Sequence, residues 1–304
     1  MNDKFLINGT EVLRGQNKII NFNVARLPSN TLIDLPVYIY RAKKKGPKLL
    51  ISAGMHGDEL NGVEIIRRLI AKDRLSPIKG TVVAIPIINI YGFLINSRYL
   101  PDGKDLNRSF PGLRNGSLAS RIAYVLMNKI LPTVDFGIDF HTGGPNKNFP
   151  QIRCDTDDEL NLELAKAFNP PLIINSSLRD GSFRKEAFKR GKKIIVYEGG
   201  ESLNFDEFSI REGIKGAIRL MSHLGMKKKT LRRNKNKVIS SSVWLRSPRS
   251  GLFRSYINYG DKIKTHQLIG SVTDPFGKEE TKIKSKKDGY IVGLRSNPSV
   301  SRGD

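Results

Sequence analysis

With 304 residues, 38% of them hydrophobic, the chain can bury a sizeable core in one large domain and a smaller one, and no apolar run nears the roughly 18 residues a membrane-spanning helix needs. One cysteine, Cys154, excludes an internal disulfide framework and fits a reducing cytoplasm. The formal net charge of +23 predicts salt-dependent attraction to anions, but the basic residues are spread out and lack aromatic interleaving, so no specific nucleic-acid partner is expected.

The opening MNDKFLINGTEVLRGQNKII has no basic stretch followed by an apolar one, so no secretory leader is read there and a cytoplasmic location is expected. KLLISAGM is a short apolar run ending in small residues, a buried strand. NGVEIIRRLIAK follows with Val63, Ile66, Leu69 and Ile70 at helical spacing. GTVVAIPIIN predicts a second buried strand, and VDFGIDFHTGG a third that ends in Gly-Gly. Between them, SLASRIAYVLMNKILP reads as a helix capped by Ser117 and closed by Pro132. DDELNLELAKAFN is another helix, PLIIN a strand, KKIIVYEGG a further strand, and FDEFSIREGIKGAIRLMSHLGM a long helix. Continuous apolar strands alternating with helices predict an α/β fold, a mixed, largely parallel sheet flanked by helices.

The pattern changes after Met226. The charged run KKKTLRRNKNK reads as a linker or exposed connection, and short strands with turn signals follow it. The division expected is a catalytic α/β domain over 1–230 and a small β barrel or sandwich over 238–304. SPRSGLFRSYINYGDKI and SKKDGYIVGLRSNPSVSRGD form a weak repeat, each with a Ser–Gly opening, an apolar hairpin and then Gly-Asp. The second copy stops where the first continues into KIKTHQLIGSV, so the sequence suggests a truncated tail or a missing final strand.

Three places carry chemistry. At the first, MHGDE, His56 and Glu59 follow a buried strand, and Gly57 permits the tight turn that lets both converge on one ion. Imidazole and carboxylate suit zinc, which in a catalytic site has three protein ligands and one open position. Among the four histidines, His141 also ends a buried strand, whereas His223 lies in a helix and His266 in the tail without a carboxylate constellation. The bland alternatives are a satisfied core histidine and, for Glu59, an acid favoured by a helix dipole. Asp139 shares a strand face with His141 and either hydrogen-bonds that imidazole or pairs with a basic neighbour. The second place is the loop SRYLPDGKDLNRSFPG, which gathers Arg98, Asn107 and Arg108; guanidinium suits a carboxylate or a carbonyl oxygen gaining charge. The third is Glu198 in IIVYEGGES, at a strand end where a carboxylate can take a proton from water and deliver it to a leaving nitrogen. Glu201, beyond the glycines, is the weaker competitor.

In this order GMHGDELNG, DGKDLNRSFPG, DFHTGG and YEGG resemble the succinylglutamate desuccinylase/aspartoacylase family of zinc deacylases, itself similar to zinc carboxypeptidases, over about residues 45–225, and the β-rich tail resembles that family's C-terminal domain. The resemblance implies a zinc carboxypeptidase-like fold and one Zn2+ per chain on His56, Glu59 and His141. It implies Glu198 as general base, Arg98 polarising the scissile carbonyl, and Asn107 with Arg108 holding a substrate carboxylate. The expected activity is hydrolysis of the amide bond of an N-acyl amino acid or small N-acyl amine carrying a carboxylate, with no membrane partner and with a homo-oligomer left open. Two alternatives remain: a zinc carboxypeptidase acting on short peptides, and a non-catalytic module using the basic surface on a polyanion.

Overall fold

The computed structural model describes residues 4–27, 29–228, 231 and 236–304, so most of the linker read at 227–237 lies outside the described residues. Two short strands, β1 (Phe5–Ile7) and β2 (Thr10–Val12), pair with each other ahead of β3 (Asn17–Arg26) and β4 (Leu32–Arg41). Then come β5 (Lys44–Ala53), α1 (Leu60–Ala71), β6 (Lys79–Ile85), α2 (Ile90–Leu94), α3 (Leu118–Val125), β7 (Phe136–His141) and β8 (Asn146–Cys154). They are followed by α4 (Glu159–Phe168), β9 (Leu172–Asn175), α5 (Phe183–Lys189), β10 (Lys193–Gly200) and α6 (Glu207–His223). The C-terminal segment adds β11 (Lys237–Ile239), β12 (Gly251–Ser255), β13 (Lys262–Ile263), β14 (Leu268–Thr273), β15 (Glu280–Lys284), β16 (Gly289–Tyr290), β17 (Gly293–Arg295) and β18 (Ser299–Val300).

Among the described residues, one sheet of ten strands runs in the order β11-β9-β8-β10-β7-β5-β6-β4-β3, with β17 added to β8. The central pairings β10–β7–β5–β6 are parallel, as the apolar strand runs predicted, while β8, β4 and β17 join antiparallel. Strand β5 shows why it must be central. Leu49, Ile51 and Ala53 enter the core built with Ile65 and Leu69 of α1 and Leu220 of α6. Leu50 enters the opposite core with Ile122, Leu126 and Phe183. Each such buried Leu or Ile contributes roughly 1.5–3 kcal/mol, and a slip of one residue would exchange the two faces.

Local signals set the helix ends. Ser117 Oγ accepts from Ser120 N–H to start α3, and Pro132 falls in the 3₁₀ turn Leu131–Thr133 that finishes the segment after one wide turn. Asp158 caps α4, which ends at Asn169 in the left-handed conformation. The sequence did not announce α5 or β8. Strand β8 carries Asn146, Asn148, Gln151 and Arg153 and is interrupted by Pro150, so its apolar alternation is broken. In the tail, the two repeat copies do not close as separate hairpins. They pair with each other, β12 with β18 and β13 with β16, and Ile257 and Ile263 of the first copy share one small core with Ile291 of the second and with Ile269 and Ile283 from between them. No helix among the described residues is long and apolar enough to cross a membrane.

Candidate active site

The parallel strands β5, β7 and β10 deliver His56, His141 and Glu198 to one edge of the sheet, outside the carboxyl ends where open α/β sheets bind ligands. After β5 the chain turns so tightly against the start of α2 that a Cβ on Gly57 would lie 1.8 Å from the Gly92 carbonyl carbon. That turn brings His56 and Glu59 round to face β7. Glu59 stands at the first position before α1 but makes no side-chain cap. Its Oε1 lies 2.7 Å from His56 Nδ1 and its Oε2 lies 2.9 Å from His141 Nδ1, with Thr142 N–H donating to Oε2 at 3.1 Å. The helix-start explanation of Glu59 therefore describes its place in the chain and not what its side chain does.

One ligand atom from each of His56, Glu59 and His141 falls within 4.8 Å of the others, and all three residues are buried. The far nitrogen of each imidazole is held by a carboxylate. His141 Nε2 lies 2.8 Å from Asp139 Oδ2, and Ser52 Oγ donates to the other Asp139 oxygen at 2.7 Å. His56 Nε2 lies 3.2 Å from Asp105 Oδ1. Asp139 is thus the imidazole partner, not the mate of a basic residue, and Asp105 plays the same part on the other side. Two imidazoles turned inward by outer carboxylates onto a third, buried carboxylate form a donor set that fits zinc.

The electrostatics agree. Burial opposes charge on Glu59, yet the two imidazoles outweigh it and hold its carboxyl far below the usual range. Burial also presses both histidines toward neutrality, and the surrounding carboxylates overcome it, raising His56 and, more strongly, His141. The cluster of three carboxylates around two imidazoles is poised for a cation.

The seven residues to which the resemblance gives roles, His56, Glu59, Arg98, Asn107, Arg108, His141 and Glu198, line one cleft of about 470 Å³. Arg98 grips Asp105 Oδ2 through Nη2 at 2.8 Å and Nε at 3.2 Å, and its Nη1 lies 3.3 Å from His56 Nδ1 and 3.6 Å from Glu59 Oε1. Asn107 Oδ1 accepts from Phe183 N–H at 3.0 Å, which leaves its NH2 to offer an anion. Arg108 lines the cleft, its pKa lowered by partial desolvation there and by the like charges of Arg179 and Arg98 against the pull of Asp105. Glu198 Oε2 accepts from Asn148 Nδ2 at 2.7 Å.

Glu201 turns away from the cleft and bonds Asn204 and Ser296. His223 pairs with Glu163 at the surface, and His266 sits in a turn of the tail. The cleft also holds residues that sequence reasoning passed over: Arg153, Arg179, Arg184, Asn148 and Trp244. The arginines carry no distinguishing signal in a chain with 52 Lys and Arg. Asp105 did have one, since it stands inside DLNR three residues before Arg108.

A family model for the succinylglutamate desuccinylase/aspartoacylase catalytic domain matches residues 45–224. An N-alpha-acetyl-L-2,4-diaminobutyric acid deacetylase from Halomonas elongata is 27% identical over 288 residues, 89% of this chain and 83% of the relative. Among solved structures, an aspartoacylase family protein from Mesorhizobium loti superposes with a TM-score of 0.83 at 26% identity, covering 96% of this chain and 93% of that one. The ectoine utilization protein EutE (DoeB) from Ruegeria pomeroyi superposes with a TM-score of 0.84 at 22% identity, covering 95% and 92%, a likeness of fold.

Proposed function

The chain belongs to the succinylglutamate desuccinylase/aspartoacylase family, and on that premise we propose that it is a zinc-dependent hydrolase of the amide bond in N-acyl amino acids or related small N-acyl amines. The observation that carries this reading is the convergence of His56, Glu59 and His141 within 4.8 Å in the same cleft as Glu198 and the arginines. The Halomonas elongata relative, named for removing an acetyl group from an amino acid, supports the substrate class.

His56, Glu59 and His141 would hold one zinc ion, which supplies Lewis acidity at the scissile carbonyl. Arg108, with the Asn107 amide, holds the substrate carboxylate and sets the position of the amide bond. Arg98 turns Nη1 toward the carbonyl oxygen as charge develops there. Glu198 accepts a proton from the attacking water and delivers it to the leaving nitrogen, so that the carbon–nitrogen bond breaks to a carboxylate and an amine. Residues 1–230 make up the catalytic unit, and 238–304 supply part of the cleft wall through Val243, Trp244, Val292 and Gly293.

The test is Glu198→Gln assayed on N-acetyl amino acids and on short peptides. Turnover is expected to fall by about 10²–10⁴-fold, the scale of general base catalysis, with zinc content unchanged. Chelation is expected to abolish wild-type activity and added zinc to restore it. Full turnover in Glu198→Gln rejects the base, activity after chelation rejects the metal, and preference for peptides over N-acetyl amino acids rejects the substrate class.

A further inference from the structure

The structure treats the two carboxylate oxygens of Glu198 differently. Asn148 Nδ2 donates to Oε2 at 2.7 Å, and Arg153 Nη2 lies 3.5 Å from the same oxygen. A carboxylate only accepts, so the Asn148 amide must turn its NH2 toward Glu198 and its Oδ1 away. Asn148 is buried where β8 loses register against β10, with Gln151 opposite Glu198 and Asn148 opposite Gly200.

Two glycines wall in the Asn148 side chain. A Cβ on Gly143 would come 2.7 Å from its Cγ and 2.8 Å from its Oδ1. A Cβ on Gly293, which β17 pairs with Asn148, would come 2.7 Å from the same Oδ1. At Gly293 the backbone is not in the left-handed region, and Asn148 is the residue that the added atom would strike. The rotamer that presents NH2 to Glu198 is therefore set from both sides, and one side belongs to the C-terminal segment.

We infer that Asn148, held between Gly143 and Gly293, is a positioning residue that anchors Glu198 through Oε2 and leaves Oε1 for proton transfer. The inference rests on Glu198 being the proton acceptor. It makes Gly293, far along the chain in the β-rich tail, a determinant of turnover without contact to the reacting atoms. Within 4 Å a methyl at Gly293 meets only Asn148, so the Asn148 amide is the group it displaces.

The experiment measures kcat, KM, zinc content and thermal midpoint for Gly293→Ala, Asn148→Ala, the double variant and Glu198→Gln, on an N-acetyl amino acid that the wild type hydrolyses. Each of the first two is expected to lower kcat roughly 10- to 100-fold, the scale of a reacting group misplaced by about 1 Å, with KM and zinc content little changed. The double variant is expected to be no worse than Asn148→Ala, since the methyl then has no amide to displace. Losses that multiply in the double variant overturn the inference, as does a loss that tracks zinc content or melting. If Glu198→Gln keeps full turnover, the base assignment fails; if Glu198→Gln is inactive while Asn148→Ala is unimpaired, the positioning role alone fails.

Discussion

Asp105 Oδ1 lies 3.2 Å from His56 Nε2 while its Oδ2 takes Nη2 and Nε of Arg98 at 2.8 and 3.2 Å. One carboxylate therefore orients a candidate metal ligand and a candidate substrate arginine together. The His56 imidazole and the Arg98 guanidinium overcome the cost of burial and hold Asp105 far below the usual carboxylate range. Asp105→Asn keeps the shape and removes the charge. Zinc affinity, measured by competition with a chelator, is expected to weaken about 10- to 100-fold, the usual effect of losing an outer carboxylate. Unaltered affinity would show that His56 needs no such support.

Arg108 is expected to read the substrate carboxylate. Arg108→Gln should raise KM by about 10- to 100-fold, equivalent to the roughly 1.5–3 kcal/mol of a charged hydrogen bond, with a smaller change in kcat. The control is the methyl ester of the same substrate. A KM for the ester that rises as steeply as that for the acid would rule out carboxylate recognition by this residue.

Asp206 connects the start of α6 to β8 and the tail. It caps α6 by accepting from Ser209 N–H at 2.7 Å, pairs with Lys147 at 3.1 Å, and accepts from Tyr259 Oη at 2.9 Å. Burial works against its charge, but these donors prevail and lower its pKa below the ordinary 3.8. A depressed carboxylate stabilises the fold above the unfolded value and loses that contribution as pH falls through the folded one. Asp206→Ala is expected to cost about 1–2 kcal/mol near neutrality. Denaturant titration should show the gap between the two proteins closing below about pH 4. A gap constant with pH would assign the loss to packing.

Cys154, the one cysteine, is buried in the core beside α4, and burial pushes its thiol up to about 12. A thiol so far from ionisation is a poor nucleophile. The native protein should resist a disulfide reagent over hours at pH 8 and react with one equivalent on unfolding. Rapid native labelling would contradict the packing around β8.

Much of the sheet was legible because β5, β6, β7 and β10 are largely buried and carry mostly apolar runs. The candidate metal cluster was legible for a related reason. His141 ends a strand beside glycines, His56 and Glu59 share the glycine turn between β5 and α1, and few histidines compete with them. Strand β8 was not, since it carries the cleft floor through Asn148 and Arg153 and gives up its apolar alternation to do so. Arg179 and Arg184 were hidden by the general excess of basic residues, and only their placement in the cleft distinguishes them.

By itself the sequence determined the alternation of strands and helices, the residue types able to hold a metal, and the motifs that mark the family. These follow from local periodicity and side-chain chemistry, which act over a few neighbouring residues. The tertiary structure alone decided that Asp105 faces His56, that β17 crosses from the tail to pair with Asn148, and that the repeat copies pair with each other. Those contacts join segments far apart in the chain, and their partners are selected by which surfaces the folded cores leave adjacent, a property no short window of sequence contains.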